Sequence, residues 1–447
     1  MRIDKKFIQN MDVGELVNFD SYVQGFSIDS RKIKENMGFV ALPGQSTDGH
    51  NYLDEAYQKG ASLLIVSEAW YQDNQVSALP LLITSDPEEA LQKIAKAYRK
   101  YFNHPVLCIT GSNGKTTTLE MIKNILGNKY NVHSTIGNYN NQLGVPISVL
   151  SHKDEHTFSV LELGTNHFGE IEFLSKIAQP TAGLITNIGA GHVEFLKNKE
   201  GVARAKSELF TSLPKEGIAF VNSDDRYIAR MPKPENIVSF GYKNNPDYKG
   251  KVININNKAR YKIEINKEHI IQLPVAGESF AKNALAAFAV GAYYQVPPEK
   301  IISSLEGFDA VHSRLKIIRK EYTIIDDSYN ANPDSTKAAI NTLEDMNAEG
   351  KKIFVFGDML ELGDKSEEYH REIGEYAASK NISLIFTYGE LSIYCSEAAR
   401  KQGCQTSHFS SKDKLIKDLE DNIEKKDIIL IKGSRGNHME EIVKEIS

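Results

Sequence analysis

The sequence predicts an α/β protein built from three units, residues 1–85, 86–312 and 313–447. Short apolar segments alternate with segments of helical periodicity along most of the chain, which is typical of mostly parallel sheets covered by helices. A length of 447 residues corresponds to about three domains. We expect a small N-terminal α/β unit, a central P-loop ATPase-like unit with a mostly parallel sheet and a small antiparallel insertion, and a C-terminal Rossmann-like unit.

The composition limits the class of protein. Hydrophobic residues make up 41% and charged residues 25% of the chain, as in ordinary globular proteins. A net charge of −6 and the lack of a long basic block argue against nucleic-acid binding. No apolar run reaches membrane-spanning length, so we expect no membrane insertion. Three cysteines without metal-ligand spacing favour a reducing cytoplasm.

In the first unit, residues 38–44, 61–66 and 81–84 have the character of short strands. Two small polar clusters flank the first of them, Asp29-Ser30-Arg31 and Asp48-Gly49-His50. Such clusters suit a ligand-binding loop, but each taken alone is more typical of an ordinary turn.

A glycine-rich turn in the central unit carries the strongest signal. Residues 110–118 follow a buried strand at 105–109 and precede a helical pattern at 119–126. Glycines let backbone N–H groups approach an anion, and the helix N-terminus adds positive potential. Only two residues separate the glycines instead of the usual four, and the alternative is a glycine turn with a solvated lysine. The order of strand, turn, lysine and hydroxyls favours phosphate binding, by Gly111, Ser112, Asn113, Gly114, Lys115, Thr116 and Thr117.

Three further residues of the central unit are candidates for chemistry. Glu162 ends a strand expected in the same sheet, where an acidic Mg²⁺ ligand belongs. His192 also follows a strand and is either a structural residue or a contact to metal or phosphate. Lys206 lies on an amphipathic helical segment, whose pattern favours a solvated position. Alternation at 261–265 indicates the antiparallel insertion, and a helix at 281–290 closes the unit.

The third unit has four strand candidates, at 323–325, 353–356, 384–387 and 428–431. Each ends in small or charged residues, and ligands bind beyond the carboxyl ends of strands in open parallel sheets. The polar turn at 327–333 precedes a helix that starts near residue 335. It is either a binding site for a small amide substrate or an elaborate helix cap.

Together these motifs resemble the Mur ligases of peptidoglycan synthesis, over essentially the whole chain. The resemblance rests on residues 110–117, 137–146, 327–335, 357–363 and 432–435. The turn at 327–335 is most similar to the branch of the family that adds D-alanyl-D-alanine to a UDP-N-acetylmuramoyl-tripeptide.

The resemblance implies roles for individual residues. Lys115 would bind the β- and γ-phosphates of ATP, and Thr116 with Glu162 would hold one Mg²⁺. His192 would serve a second Mg²⁺ together with Lys206. Lys206 matches a lysine that is carbamylated in the family, which contrasts with the solvated position that its helical pattern favours. Other implied ATP-binding residues are Asn283 and Arg314. Implied substrate-binding residues are Ser30, Arg31, Asp48, Gly49, His50, Asn138, Asn140 and Asn141 for the uridine-nucleotide substrate, and Asp327, Tyr329, Asn330, Asn332 and Ser335 for the dipeptide.

The implied reaction is ATP-dependent amide bond formation through an acyl phosphate, by a monomeric enzyme whose third unit closes over the central one. One departure stands out, because Ser279 and Phe280 occupy positions where the family usually has His-Asn. Alternatives within the class are another Mur ligase or a folylpolyglutamate synthetase-like enzyme. Alternatives outside it are a P-loop switch or kinase and a non-catalytic nucleotide-binding protein.

Overall fold

The structure, a computed structural model, describes residues 2–44, 47–74, 76, 78–310 and 313–447. The predicted boundary at residue 312 lies outside the described residues. Within these ranges, no helix is both long enough and apolar enough to cross a membrane.

The first unit has a five-stranded sheet in the order β2-β7-β6-β5-β4, parallel except for the pair of β2 and β7, and a small antiparallel pair of β1 and β3. Its strands are β1 (Ile3–Asp4), β2 (Glu15–Val17), β3 (Tyr22–Val23), β4 (Phe26–Ser27), β5 (Met37–Val40), β6 (Ala61–Ser67) and β7 (Leu81–Thr84). Its helices are α1 (Lys5–Gln9), α2 (Leu53–Gln58) and α3 (Glu68–Asn74), and α4 (Pro87–Arg99) follows as the first helix of the central unit. Asp86 caps α4 and Pro87 takes its first position, so the chain leaves β7 directly into this helix.

The central unit has a nine-stranded sheet in the order β16-β15-β14-β13-β12-β11-β8-β10-β9. Its strands are β8 (Val106–Thr110), β9 (Val132–Ser134), β10 (Phe158–Glu162), β11 (Ala182–Ile185), β12 (Ile218–Asn222), β13 (Ile237–Gly241), β14 (Tyr248–Ile255), β15 (Arg260–Ile265) and β16 (His269–Ala276). Its helices are α5 (Lys115–Leu126), α6 (Gly144–Leu150), α7 (Glu170–Ala178), α8 (Val193–Leu196), α9 (Lys199–Thr211), α10 (Arg226–Arg230), α11 (Glu278–Tyr293) and α12 (Pro298–Glu306). Strands β8, β10 and β11 are buried along their whole length, as expected for central parallel strands.

The predicted antiparallel insertion belongs to this same sheet. Strand β13 pairs in parallel with both β12 and β14, and only β14, β15 and β16 pair antiparallel. Strand β13 (Ile237–Gly241) therefore extends the parallel part of the sheet. Because the first residues of β13 are exposed or half-buried, they lack the long apolar run that marks the other parallel strands.

The third unit has a six-stranded sheet in the order β17-β18-β22-β19-β20-β21, parallel except for the pair of β17 and β18. Its strands are β17 (Lys316–Arg319), β18 (Thr323–Asp327), β19 (Lys352–Gly357), β20 (Leu384–Tyr388), β21 (Gln405–Phe409) and β22 (Ile428–Lys432). Its helices are α13 (Pro333–Asp345), α14 (Ser366–Ala378), α15 (Ile393–Lys401), α16 (Lys412–Asn422) and α17 (Glu440–Glu445). The carboxyl ends of β18 and β22 lie side by side and carry Asp327 and Lys432.

Candidate active site

The glycine-rich turn connects β8 to α5 and has the backbone that its sequence requires. Gly111 has φ +149° and Gly114 has φ +81°, values that favour glycine. A Cβ on Gly111 would overlap the Thr186 hydroxyl, and one on Gly114 would lie 2.5 Å from Asn283 Oδ1. The turn is therefore packed from both sides, and neither glycine can be replaced without displacing a neighbour.

Asn187, just after β11, fixes the shape of this turn. Its carbonyl accepts from the Ser112 N–H at 2.9 Å, and its side-chain oxygen accepts from the Asn113 N–H at 3.1 Å. These two N–H groups are thus engaged within the protein, which leaves the start of α5 to face an anion.

Lys115 begins α5 and is half-buried, with its Nζ donating to the Gly111 carbonyl at 3.0 Å. Loss of solvent lowers the pKa of Lys115; the Glu162 carboxylate opposes this shift and the Arg314 guanidinium adds to it. A phosphate chain at the turn would restore the charge balance around this ammonium.

Glu162, at the end of β10, is buried, and both of its carboxylate oxygens accept hydrogen bonds. Oε2 accepts from the Thr116 hydroxyl at 2.6 Å, and Oε1 accepts from Asn140 Nδ2 at 2.8 Å. Its backbone N–H donates to the Thr135 hydroxyl at 2.9 Å. A carboxylate and a hydroxyl side by side next to a phosphate-binding turn are oxygen ligands of the kind that Mg²⁺ prefers.

Lys206 does not lie on a solvated face, so that interpretation of its helix is wrong. Its relative accessibility is only 2%, at the inner side of α9. Burial lowers the pKa of Lys206 well below its ordinary value; Lys115 adds to the shift and Glu162 opposes it. The amine therefore lies near enough to Lys115 and Glu162 for their charges to act on it, and burial favours its neutral form.

His192 adopts a left-handed backbone, with φ +59°, immediately before α8. Its Nδ1 lies 2.6 Å from Glu361 Oε2, a residue of the third unit. This contact lowers the pKa of Glu361, an effect that burial of the carboxyl opposes. The pair joins the central and third units at the edge of the site.

Asn332 confirms the helix-cap interpretation of the polar turn at 327–333, while the amide-binding interpretation stays a prediction. It is the N-cap of α13, in a capping box with Ser335. Its side-chain amide also donates to Asn113 Oδ1 at 2.7 Å and accepts from Asn113 Nδ2 at 3.4 Å. The helix cap of the third unit therefore touches the phosphate-binding turn.

The start of this turn is anchored by a buried ion pair between Asp327 and Lys432. Lys432 Nζ also donates to the Asn330 carbonyl at 2.9 Å. Burial raises the pKa of Asp327 and the ammonium of Lys432 opposes the shift. Nearby, the Arg314 guanidinium stacks 4.2 Å from the centre of the Tyr329 ring.

One cavity of about 900 Å³ lies between these parts. Seventeen of the predicted site residues line it, namely Ser112, Asn113, Gly114, Lys115, Thr116, Thr117, Asn140, Asn141, Glu162, His192, Asn283, Arg314, Asp327, Tyr329, Asn330, Asn332 and Ser335. Gly111, Asn138 and Lys206 are not part of its lining. The departure from the family pattern, Ser279 and Phe280, lies on the cavity wall, where Phe280 presents a buried ring.

The predicted residues of the first unit lie outside this cavity. Ser30 Oγ donates to Glu55 at 2.9 Å, and Arg31 pairs with Asp29, which caps a single turn. Asp48 caps a second turn, at Gly49–Tyr52.

His50, in this second turn, is buried and stacks on Trp70 at 5.2 Å. Its Nδ1 lies 2.6 Å from Asp48, and its Nε2 accepts from the Ser67 N–H at 3.1 Å. Since Asp29 caps the other turn, the clusters at 29–31 and 48–50 both have the structure of ordinary turns. Their binding role stays a prediction.

Comparison with known proteins identifies the family. Family models match residues 22–99 (Mur ligase family, catalytic domain), 109–291 (Mur ligase middle domain) and 313–435 (Mur ligase, glutamate ligase domain). A Bacillus subtilis protein, UDP-N-acetylmuramoyl-tripeptide–D-alanyl-D-alanine ligase, is 36% identical over 99% of this chain and 97% of its own length. Its Escherichia coli namesake is 34% identical, over 97% and 96%.

The chain belongs to the Mur ligase family.

Solved structures agree with this assignment. MurF from Acinetobacter baumannii superposes with a TM-score of 0.88 at 30% identity, over 100% of this chain and 99% of that one. Another structure from that organism is named UDP-N-acetylmuramoylalanyl-D-glutamyl-2,6-diaminopimelate–D-alanyl-D-alanyl ligase, with a TM-score of 0.84 at 29% identity, over 100% and 98%. MurF ligase from Thermotoga maritima, solved in complex with ADP, has a TM-score of 0.81 at 27% identity, over 94% and 96%.

Sequence reasoning missed several residues of this Mur ligase site. Asp334 accepts from the Ala190 N–H at 2.6 Å and from Lys199 at 3.0 Å, and Glu361 contacts His192. Both lie within segments that carried the family resemblance, which was the available signal for them. Glu88 also lines the cavity, and no sequence pattern pointed to it.

Proposed function

We propose that this Mur ligase joins D-alanyl-D-alanine to a UDP-N-acetylmuramoyl-tripeptide, with ATP as the energy source and ADP and phosphate as products. The acceptor peptide would end in a diamino acid, as in the name of the second Acinetobacter relative. The observation that carries the proposal is the single cavity that brings the phosphate-binding turn and the 327–335 turn together.

The chemistry begins from a poor electrophile, because the negative charge of a carboxylate is delocalised. The terminal carboxylate of the peptide attacks the γ-phosphorus of ATP, the bond to ADP breaks, and an acyl phosphate forms. The amine of the dipeptide then attacks the acyl carbon, loses a proton, and inorganic phosphate leaves with the C–O electrons. The result is an amide bond.

The protein contributes charge stabilisation and positioning. Lys115 and the start of α5 would hold the β- and γ-phosphates, and Arg314 adds a second cation on the cavity wall. Asn332 and the rest of the third-unit turn would present the dipeptide. Because the third unit covers the cavity, it would also keep water from the acyl phosphate.

Thr116 and Glu162 fit a Mg²⁺ ion, since their oxygens lie 2.6 Å apart beside the turn. In the part of the chain that the structure describes, no group of three or more His, Cys, Asp or Glu side chains is placed to hold a metal. Phosphate and water oxygens would complete the shell, as is usual for Mg²⁺. His192 and a carbamylated Lys206 would serve a second ion. When bound, the ions neutralise charge on the transferred phosphoryl group.

We extend the proposal to the chain as a whole. It comprises a uridine-nucleotide-binding unit at 1–85, an ATP-binding unit at 86–312 and a dipeptide-binding unit at 313–447. We include a monomeric state of the enzyme in this proposal. Three free cysteines support a cytoplasmic location.

Phosphate release from ATP, followed together with product mass, tests the proposal. We expect release only when the UDP-muramyl-tripeptide and the dipeptide are both present, with a product heavier by one dipeptide less water. Lys115→Ala should lower turnover by at least about 100-fold, while Lys123→Ala, on the same helix, should not. Release that needs neither substrate would indicate a nucleotide switch, and no release under any condition would indicate a non-catalytic protein.

A further inference from the structure

The carboxylates of the cavity wall are almost all engaged by other groups of the protein. Seven acidic side chains line the cavity. Three form ion pairs with lysines, Glu278 with Lys282, Asp327 with Lys432 and Asp334 with Lys199, and Glu361 contacts Nδ1 of His192. Two more each accept several hydrogen bonds, Glu162 from Thr116 and Asn140, and Glu170 from Thr165 and two backbone N–H groups. Glu170 also lies 3.4 Å from Nδ1 of His167.

Glu88 is the seventh, and it has no cationic partner among the described residues. It lies in the first turn of α4 and is half-buried. The contact to its carboxylate is the neutral amide of Gln92, whose Nε2 donates to Oε1 at 3.0 Å. Burial raises the pKa of Glu88, and the neighbouring Asp86 adds to the effect. An anion that is partly desolvated and unpaired in a cavity is stabilised when a ligand supplies a positive charge.

The position of Glu88 indicates which ligand that is. Gln92 also donates to the Gln142 carbonyl at 3.3 Å, so Glu88 lies beside the 137–146 segment. This segment also contacts the first unit, where Lys32 Nζ donates to the Tyr139 hydroxyl at 3.1 Å. A peptide held at its nucleotide end by the first unit would pass this wall to bring its terminal carboxylate to Glu162 and Lys115.

We propose that Glu88 is a specificity-determining residue that binds the side-chain ammonium of the third residue of the acceptor peptide. The inference rests on the proposed function, because it assigns a contact to the acceptor substrate of that reaction. The amine of the dipeptide is a poorer candidate, since it must lose its charge to attack and since the proposed function assigns the dipeptide to the third-unit turn. Lysine and diaminopimelate both carry the required ammonium.

The test compares three UDP-muramyl-tripeptides, with lysine, diaminopimelate or norleucine at the third position. Norleucine has the length of lysine without its charge. Each is assayed with ATP, Mg²⁺ and D-alanyl-D-alanine on the parent enzyme, on Glu88→Gln and on the control Glu89→Gln. Glu89 is the neighbouring residue of the same helix, is exposed, pairs with Lys93 at 3.0 Å and does not line the cavity.

We expect the parent enzyme to prefer at least one diamino acid peptide over the norleucine peptide by about tenfold in kcat/KM, which corresponds to about 1.4 kcal/mol. Glu88→Gln should reduce this preference to less than about threefold by raising KM for the diamino acid peptide, with the norleucine peptide unaffected. Glu89→Gln should behave like the parent.

Three results would overturn the inference while leaving the proposed ligase activity intact. They are equal use of the norleucine and diamino acid peptides by the parent, an unchanged preference in Glu88→Gln, and a KM effect confined to the dipeptide. Failure to ligate any of the three peptides would instead overturn the proposed function, and the inference with it.

Discussion

Asn332 offers a way to separate the structural from the functional role of the 327–335 turn. Its side chain caps α13 and also exchanges two hydrogen bonds with Asn113 across the cavity. Serine is also a good N-cap residue, but its side chain is too short to reach Asn113. Asn332→Ser therefore removes the contact between the units and keeps the cap, whereas Asn332→Ala removes both.

The expected magnitudes follow from these contacts. One of the two amide hydrogen bonds is short, at 2.7 Å, and the other is long, at 3.4 Å. With about 0.5–1.5 kcal/mol for a normal bond and less for the long one, their joint loss costs about 1–2 kcal/mol. This corresponds to roughly a 5- to 30-fold loss of kcat/KM for Asn332→Ser. Its free energy of unfolding should change by less than about 0.5 kcal/mol, while Asn332→Ala should lose about 1 kcal/mol.

The assay is phosphate release with both substrates, measured in parallel with urea unfolding. Activity of Asn332→Ser within twofold of the parent, at unchanged stability, would refute a role of the Asn113 contact in the productive arrangement. Equal destabilisation of the serine and alanine variants would refute the argument on the helix cap.

Three further predictions concern single residues. Gly114→Ala should weaken ATP binding by at least about tenfold. A left-handed backbone costs alanine about 1 kcal/mol, and the alanine Cβ would lie 2.5 Å from Asn283 Oδ1. Unchanged affinity in a fluorescent-nucleotide titration would contradict this prediction. Burial lowers the pKa of Lys206 and so favours the neutral amine, the form that reacts with carbon dioxide. Removing dissolved carbon dioxide should therefore reduce turnover several-fold and bicarbonate should restore it; turnover insensitive to both would argue against a carbamate. Burial lowers the pKa of His133 from 6.5 to about 4, so between these values the unfolded state binds a proton that the folded state does not. As the pH falls below about 6.5, the free energy of unfolding should therefore decrease, by about 2 kcal/mol at pH 5. Urea unfolding of His133→Gln should show a smaller decrease, and a decrease equal to that of the parent would exclude this histidine as the cause.

The sequence was sufficient for the parts of the molecule that depend on local pattern. The phosphate-binding turn, with Gly111, Gly114 and Lys115, lies between a strand and a helix as predicted, because its signal is contained in about twenty consecutive residues. Glu162 lies near the turn because parallel strands end at one edge of a sheet. The α/β class and the three-unit fold of the family are also confirmed, and both are predicted from the local alternation of strand and helix patterns.

The contacts between units could not be predicted from local pattern. Asn113 and Asn332 are 219 residues apart in the sequence, yet their amides touch. Lys206 follows a polar-looking helical pattern, and its burial depends on which side of α9 meets the central sheet. Glu88 stands out only once the partners of every other carboxylate in the cavity are known.

The two ends of α13 contact the central unit in different ways. Its first turn makes polar contacts at the cavity, from Asn332 to Asn113 and from Asp334 to Lys199. Near its far end, Thr342 and Met346 pack beside the start of α11 and the β14–β15 turn. Half-exposed polar contacts each contribute about 1 kcal/mol or less. Rotation of the third unit about the far end of α13 would break several of them, including the contact of Glu361 with His192, and would keep the packing around Thr342 and Met346. We therefore expect such a rotation to open the cavity for the substrates to enter. The polar contacts at the first turn of α13 should form again when both substrates are bound.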